Sequence, residues 1–166
     1  MLILHHQAEI DIDAPPEVVF DVCSDVIRHK ELSGAGEVQQ VRVVTDGPVR
    51  LGTRFEADED LTFGPSRMQF VARSEVVEFD RPRSFSWTAI PGTGPKPKRI
   101  QWWFRMVPNG RGTHVVHEVQ VDLGAVPNVL MKPIYGPARG GRVKRSMDTT
   151  LQNLKRMAEE RATAPT

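Results

Sequence analysis

Three ionisable side chains, His6, Glu59 and His117, lie in segments that alternate apolar and polar residues, and each falls on the apolar face of its segment. A histidine titrates near neutral pH and can accept or donate a proton. A carboxyl group in an apolar pocket has a raised pKa and can act as an acid at neutral pH. One hypothesis therefore makes His117 and Glu59 catalytic acid–base residues that face one cavity and lie close together. The alternative is a hydrogen-bonded histidine and a glutamate that reaches water, and His6, near the start of the chain, fits that alternative best.

The same segments give no grounds for predicting a metal site. His114 and His117 are three residues apart on a predicted strand, so their rings point to opposite faces. Residues 58–60, Asp-Glu-Asp, alternate for the same reason and are expected at a solvated edge. Cys23 is the single cysteine of the chain, which excludes an intrachain disulfide and a zinc site built on cysteines. We expect it to be a small buried residue without a catalytic role.

A second set of side chains could bind a ligand without reacting with it. Aromatic residues have inward parity on several predicted strands or lie on the first predicted helix, and they could stack against a flat or apolar molecule or serve as ordinary core. Trp103 has the opposite parity from its neighbour and is expected to face outward, as part of a contact patch. The residues predicted to bind a ligand are Phe20, Phe55, Phe70, Trp87, Trp102, Phe104, Val119, Met131, Tyr135 and Met147.

Two segments could control access to such a ligand, and a basic cluster lies beside one of them. Val126–Pro137 is apolar but is interrupted by three prolines and a glycine, so it is either a flap or a plain connection, and the Pro91–Lys98 loop could face it. The cations near the start of the last predicted helix oppose the helix dipole. An anionic ligand group or membrane surface would offset that cost, and a solvated basic face is the alternative. These cations are Arg139, Arg142, Lys144 and Arg145.

The composition excludes several classes of protein. The chain has 166 residues, of which 39% are hydrophobic and 26% charged, as in one ordinary globular domain. Its formal net charge of +1 argues against nucleic-acid binding. Apolar runs stay well short of the roughly 18 residues that a membrane span needs, and the first residues lack the basic region of a signal peptide. We therefore expect a protein of a reducing compartment, the cytoplasm.

The candidate residues are positioned by a series of strands and one long helix. The period of the hydrophobic pattern is two over most of the chain, and it becomes 3.6 from Ala138 to Arg161, which predicts one long amphipathic helix. Glu17–Cys23 and Asp25–Lys30 are predicted to be short helices after the first strand. The predicted strands are Leu2–Asp13, Gly36–Thr45, Gly52–Phe63, Met68–Phe79 with a bulge near its middle, Ser84–Ile90, Ile100–Met106 and Thr113–Leu123.

This order of elements predicts an α+β domain with an internal cavity. An antiparallel sheet with one apolar face must cover that face, and the last helix is the one long amphipathic element available. A twisted sheet wrapped around a single helix encloses more volume than the helix fills. We expect one domain over residues 1–161 and a disordered tail over residues 162–166.

The sequence resembles the helix-grip fold of the START and birch-pollen-allergen (SRPBCC) superfamily, and most closely its polyketide cyclase/dehydrase-like branch. The resemblance runs along nearly the whole chain but rests on turns and core positions. One departure is Leu32, near the position where relatives commonly carry a tryptophan. The residues that carry the resemblance are IDAPPEVVFDV at Ile12–Val22, GTRF at Gly52–Phe55, VVEFDRPRSFSW at Val76–Trp87, GTHV at Gly112–Val115 and LQNLKRMAE at Leu151–Glu159.

The resemblance implies a curved antiparallel sheet of about seven strands around the C-terminal helix, and a hydrophobic ligand in the cavity. Our leading hypothesis is a carrier or binding protein for a hydrophobic small molecule or lipid, polycyclic or acyl. The first alternative is a polyketide cyclase, aromatase or dehydratase that uses His117 and Glu59. The second is a protein-interaction module that uses Trp103 and the basic cluster, and a weak homodimer is one form of it. None of the three needs a cofactor, and the fold alone does not choose among them.

Overall fold

The computed structural model describes residues 2, 4–63, 65–91, 99–122, 133 and 136–164. Its strands are β1 (Leu4–Ile12), β2 (Val38–Val43), β3 (Arg54–Phe63), β4 (Ser66–Asp80), β5 (Ser84–Pro91), β6 (Arg99–Asn109) and β7 (Gly112–Asp122). Its α-helices are α1 (Pro16–Ser24), α2 (His29–Leu32) and α3 (Gly141–Thr163), with a 3-10 turn at Val26–Arg28 and a π-helical turn at Gly136–Gly140.

The strands form one antiparallel sheet in the order β1-β7-β6-β5-β4-β3-β2. All but one of the neighbouring pairs are consecutive in sequence, and the exception brings β1 beside β7. The turn between β6 and β7 uses Gly110 at a φ of 62°, a conformation that glycine adopts without strain. This curved sheet with a long C-terminal helix and two short helices confirms the predicted helix-grip architecture.

The predicted bulge lies near the C-terminal end of β4. Val76 pairs with Trp87 and Glu78 pairs with Ser86, so Val77 is the extra residue. Before the bulge, the even-numbered residues of β4 face the core, and after it Phe79 does so, opposite Phe85. The bulge therefore explains why the apolar parity of this segment changes along one continuous strand.

Helix α3 covers the concave face of the sheet with one apolar stripe, and polar contacts attach its two edges. Its buried residues include Met147, Leu151 and Leu154, spaced by four and three residues. Toward β1, the Lys155 ammonium group donates to the Asp11 carbonyl at 2.9 Å. On its other side, the Gly34 amide donates to the Thr150 hydroxyl at 2.9 Å. The helix is thus held between β1 and the connection from α2 to β2.

The extent of α3 differs slightly from the prediction. The α-helix begins at Gly141, and the π-helical turn precedes it, where the sequence pattern predicted a continuous helix from Ala138. It continues to Thr163, two residues past the predicted end, and the Thr163 hydroxyl donates to the Glu159 carbonyl at 3.0 Å. Among the described residues, no helix combines the length and the apolarity needed to cross a bilayer.

Gly34→Ala tests the fit of α3 against the α2–β2 connection. A Cβ at residue 34 would lie 2.3 Å from the Ser146 carbonyl oxygen and 2.7 Å from the Thr150 amide nitrogen, both backbone atoms of α3. We expect the free energy of unfolding, measured by urea titration, to fall by about 1–3 kcal/mol. The control is Gly141→Ala on the same helix, where the nearest atom is the flexible end of Arg145 at 3.9 Å and where alanine should leave stability equal or higher. Equal stability of the two variants would contradict this packing.

Candidate functional site

A cavity of about 500 Å³ lies between the concave face of the sheet and α3. Volumes of this size hold drug-sized ligands in other proteins. Its lining is mainly apolar and reaches from β2 across the sheet to β7, and to the first turns of α3 through Val143. Six of the predicted ligand-binding residues line it: Phe55, Phe70, Trp87, Trp102, Phe104 and Val119.

Stacked rings from three neighbouring strands form one end of the cavity, here called the aromatic end. Trp87 and Trp102 are directly paired across β5 and β6, and their ring centroids are 6.3 Å apart at an angle of 15°. Phe104 stacks on His117 of β7 at 4.1 Å and 9°. Strand register places these side chains together because directly opposed residues of an antiparallel sheet project to the same face. These rings give the cavity an aromatic wall, of which Trp87 and Trp102 are the partly exposed members.

His117 is buried at the aromatic end and is held by a backbone carbonyl. Its Nδ1 donates to the Trp103 carbonyl oxygen at 2.8 Å, and within the described residues its Nε2 has no hydrogen-bond partner. Burial lowers the pKa of His117 to about 4, because the charged ring would lose its hydration. His117 is therefore neutral at pH 7, with an Nε2 lone pair beside the cavity.

His29 of α2 is a second histidine in the cavity wall, and it is not among the residues predicted from the sequence. Its Nε2 donates to the Cys23 carbonyl at 2.8 Å, and its ring lies 5.0 Å from that of Trp87. Burial lowers the pKa of this histidine as well. The spacing of three residues between Val26, His29 and Leu32 could have predicted its burial, because all three side chains are buried.

The other end of the cavity carries charged groups and is here called the polar end. Arg139 donates through both terminal nitrogens to the Glu37 carboxylate, at 3.0 and 3.2 Å, and also to the Thr62 carbonyl at 3.1 Å. Glu59 lies near this pair, and its pKa is raised to about 7 by burial and by the Glu37 charge, against the opposing effect of Arg139. Arg139 is thus a buried ion-pair partner in the cavity wall. Arg142, Lys144 and Arg145 are exposed to solvent, and Arg142 also lines the cavity.

His117 and Glu59 both line the cavity, but the register places them at opposite ends. They lie on strands four places apart in the sheet, which corresponds to about 19 Å measured across it. The residues paired in turn with His117 across β6 and β5 lead to Phe79 on β4. Glu59 pairs with Phe70, which lies nine residues before Phe79 on β4. The register therefore does not bring His117 and Glu59 together as an adjacent acid–base pair requires.

Two of the predicted ligand residues belong to the packed core. The Phe20 ring lies 5.0 Å from that of Phe79 and 6.2 Å from that of Phe85, and Met147 packs among Leu4, Val119 and their neighbours. Neither side chain is among the described lining residues. Met131 and Tyr135 lie outside the described residues, as do most of the Val126–Pro137 segment and residues 92–98 of the Pro91–Lys98 loop.

The remaining candidates lie away from the cavity. His6 is part of β1, and its Nε2 is buried without a hydrogen-bond partner among the described residues. Trp103 faces outward as predicted, but it is partly buried and the Arg105 guanidinium lies over its ring at 5.4 Å. This cover reduces the apolar surface that Trp103 offers to a partner. In the described ranges, no group of three or more metal-ligating side chains comes together.

The sheet, the gripping helix and the apolar cavity between them define a helix-grip protein with an internal cavity. The chain matches the family model "Polyketide cyclase / dehydrase and lipid transport" over residues 4–159, and it belongs to that family. This confirms the resemblance to the SRPBCC superfamily drawn from the sequence. A comparison with curated proteins finds no match to the chain.

Solved structures share the fold at low sequence identity. The Zhui aromatase/cyclase from Streptomyces sp. R1128 has a TM-score of 0.68 and 16% identity, over 97% of this chain and 96% of that one. The ginseng major latex-like protein 151 from Panax ginseng has a TM-score of 0.64 and 13% identity, over 97% and 98%. A protein of Thermus thermophilus has a TM-score of 0.63 and 19% identity, over 96% and 100%. These similarities establish the fold, and their different names leave the ligand open.

The buried His117 should make the protein sensitive to acid. The folded pKa of about 4 lies below the unfolded value near 6.5, so the unfolded state binds more protons between these pH values and stability is lost as the pH falls through this range. For His117 alone we expect a loss of about 2 kcal/mol between pH 7.5 and pH 5. Urea unfolding at both pH values should show a smaller loss for His117→Gln than for the native protein.

The control for that experiment is His114→Gln on the outer face of β7. The hydrogen bond to Asp11 raises the pKa of His114, so its contribution is present at low pH and is lost as the pH rises. Replacing His114 should therefore make the loss of stability between pH 7.5 and pH 5 slightly larger. An unchanged loss in His117→Gln would show that His117 does not titrate as described.

Glu59→Gln tests the polar end of the cavity. The folded pKa of about 7 exceeds the unfolded value of 4.5, so the folded state binds more protons in between and stability falls as the pH rises through that window. A neutral glutamine avoids this effect and leaves the Glu37–Arg139 pair intact. We expect urea titration to show a gain of about 3 kcal/mol at pH 8 and little change at pH 4.

Asp58→Asn is the matched control for Glu59→Gln, since Asp58 is adjacent in β3 and forms an outward ion pair with Arg42 at 2.9 Å. Its replacement should be neutral or slightly destabilising at pH 8. If Glu59→Gln lost stability at pH 8 as Asp58→Asn does, Glu59 would be a stabilising carboxylate and the assignment would be wrong.

Proposed function

We propose that this protein binds a hydrophobic, aromatic small molecule in its internal cavity, as a carrier or binding protein. The observation that carries the proposal is the cavity of about 500 Å³ with stacked rings at one end. Apolar surface removed from water contributes roughly 25 cal/mol per Å², so a flat ligand on Trp87 and Trp102 would gain most of its affinity there. Membership of a family described by polyketide cyclisation, dehydration and lipid transport supports a hydrophobic ligand.

The polar end favours a ligand with one polar group. Arg139 and Glu37 neutralise each other, and the raised pKa of Glu59 keeps a large part of this carboxyl protonated near pH 7. The exposed Arg142 also lines the cavity, so this end offers hydrogen bonds and one solvated cation. An aromatic or acyl molecule with a hydroxyl, amide or single carboxylate group at one end fits this arrangement better than a highly charged molecule.

A cyclase or dehydratase is the second candidate, and the Nε2 of His117 favours it. That nitrogen borders the cavity with its lone pair available, as a proton acceptor requires. His117 would act without Glu59, because the two lie at opposite ends. The low pKa makes His117 a weak base at neutral pH, so a binding protein remains the function that the geometry supports best.

The state of the single cysteine bears on the cellular location of the protein. Cys23 is buried as a free thiol, and burial raises its pKa well above the usual value, so it is unreactive. A single free cysteine is compatible with a reducing compartment, and we propose that the protein acts in the cytoplasm.

Filling the cavity should weaken binding strongly. Ala72 lies on the inner face of β4 and lines the cavity, so Ala72→Phe would place a ring inside it. We expect 1-aminoanthracene, a fluorescent aromatic probe, to bind the native protein and to lose affinity by about tenfold or more in this variant. The control is Val71→Phe, one residue earlier on the same strand, where the side chain is on the outer face and 41% exposed.

The measurement is a fluorescence titration of the native protein and the two variants with 1-aminoanthracene. Binding by the native protein and Val71→Phe, with loss in Ala72→Phe, supports the internal site. If Ala72→Phe bound the probe as the native protein does, or if the native protein bound none, the proposed function would be wrong.

A further inference from the structure

The hydrogen bond of His117 fixes which of its nitrogens carries the proton. A backbone carbonyl oxygen accepts hydrogen bonds and cannot donate them, so the Nδ1 that lies 2.8 Å from the Trp103 carbonyl must be the protonated nitrogen. A neutral imidazole has one N–H group, and Nε2 is then the acceptor. Since Nε2 has no partner among the described residues and the ring lines the cavity, His117 presents a hydrogen-bond acceptor to a ligand.

The second histidine of the cavity repeats this arrangement with its nitrogens exchanged. Nε2 of His29 lies 2.8 Å from the Cys23 carbonyl and must carry the proton, which leaves Nδ1 as the acceptor. The described residues offer no hydrogen-bond partner to this Nδ1. Both rings are buried and uncharged, so neither gains a second N–H group near neutral pH. Each histidine therefore presents a hydrogen-bond acceptor to the cavity, and not an N–H donor.

The two acceptors lie on either side of the stacked rings. His29 contacts Trp87 at 5.0 Å, Trp87 lies 5.9 Å from Phe104, and Phe104 stacks on His117 at 4.1 Å. Phe104 itself is fully buried, but the partly exposed Trp102 lies 5.4 Å from His117. A ligand against Trp87 and Trp102 would therefore have His29 beside one ring and His117 beside the other. A buried acceptor that has lost its hydration and has no hydrogen-bond donor costs free energy. A ligand that supplies an O–H or N–H group at that position is therefore favoured.

We propose that His117 and His29 select aromatic ligands that carry hydroxyl groups, one at each edge of the ring system, over ligands of the same size without hydrogen-bond donors. The selection follows from the fixed tautomers: an ether, ketone or carboxylate oxygen at either position would face a lone pair and be repelled. The inference rests on the proposed function, and it adds the chemical class of the ligand and the two residues that recognise its hydroxyl groups.

The test compares two probes of matched shape, 2,6-dihydroxynaphthalene and 2,6-difluoronaphthalene, by isothermal titration of the full chain at pH 7.5. Fluorine is close to a hydroxyl group in size and has no proton to donate. Because one hydrogen bond contributes about 0.5–1.5 kcal/mol, we expect the dihydroxy probe to bind about tenfold more tightly. If the difluoro probe bound equally or more tightly, the inference would be overturned while the binding function stood.

His117→Phe and His29→Phe remove one acceptor each and keep a ring in the wall. Each should reduce the preference for the dihydroxy probe about threefold, with the affinity for the difluoro probe unchanged or higher. The control His114→Phe, on the outer face of the strand that carries His117, should keep the full preference. A full preference in either cavity variant, or an equal loss of both probes, would overturn the assignment of that histidine.

A measurement on the native protein covers the case in which a variant does not fold. Nitrogen-15 chemical shifts distinguish the two neutral tautomers of histidine, and we expect the proton on Nδ1 of His117 and on Nε2 of His29. Addition of 2,6-dihydroxynaphthalene should shift the acceptor nitrogen of each ring, and the difluoro probe should not. The opposite tautomer at either residue would contradict the inference. Failure of both naphthalenes and of 1-aminoanthracene to bind would instead contradict the proposed function.

Discussion

The structure depends on the cover that one helix gives to a wide apolar sheet face. Six steps between seven strands amount to about 29 Å, whereas a helix with its side chains is about 10–12 Å across. The sheet must therefore curve around α3, and the helix can fill only part of the concave space. Helix α3 lies against β1 and α1, and the remaining volume under β2 to β7 becomes the cavity. An internal cavity thus follows from the difference in width between the two layers.

The polar groups in the cavity wall are arranged so that few of them carry uncompensated charge. Burial keeps both histidines neutral, and each satisfies one nitrogen with a backbone carbonyl. At the other end, a guanidinium and a carboxylate separated by 102 positions in sequence neutralise each other, with the side chain of Arg139 only 8% exposed. Burial of such a pair is costly unless its hydrogen bonds are satisfied, and here a third bond to the Thr62 carbonyl contributes. The cavity therefore combines an apolar, aromatic end with a polar end built on the Glu37–Arg139 pair.

The sequence predicted the fold and one face of the site, because strand alternation reports which residues point inward. It identified the stacked residues Trp87, Trp102 and Phe104 together with His117, and it explained the parity change of β4 by a bulge that the register confirms. Parity gives no position along the cavity, so it could not show that Glu59 and His117 lie at opposite ends. His29 was missed because it lies in a short helical turn, where three residues give little periodicity. The pairing of Arg139 with Glu37 joins distant segments, and no local pattern encodes such a contact.

A crystal structure of the protein with 2,6-dihydroxynaphthalene would test the central claim most directly. The account predicts the ring system inside the cavity, stacked near Trp87 and Trp102, with a hydroxyl oxygen about 2.6–3.0 Å from Nε2 of His117. The contrary result would be a cavity closed by inward movement of its own side chains, with the probe bound elsewhere or absent. In that case the space under α3 would be a packing feature and not a ligand site.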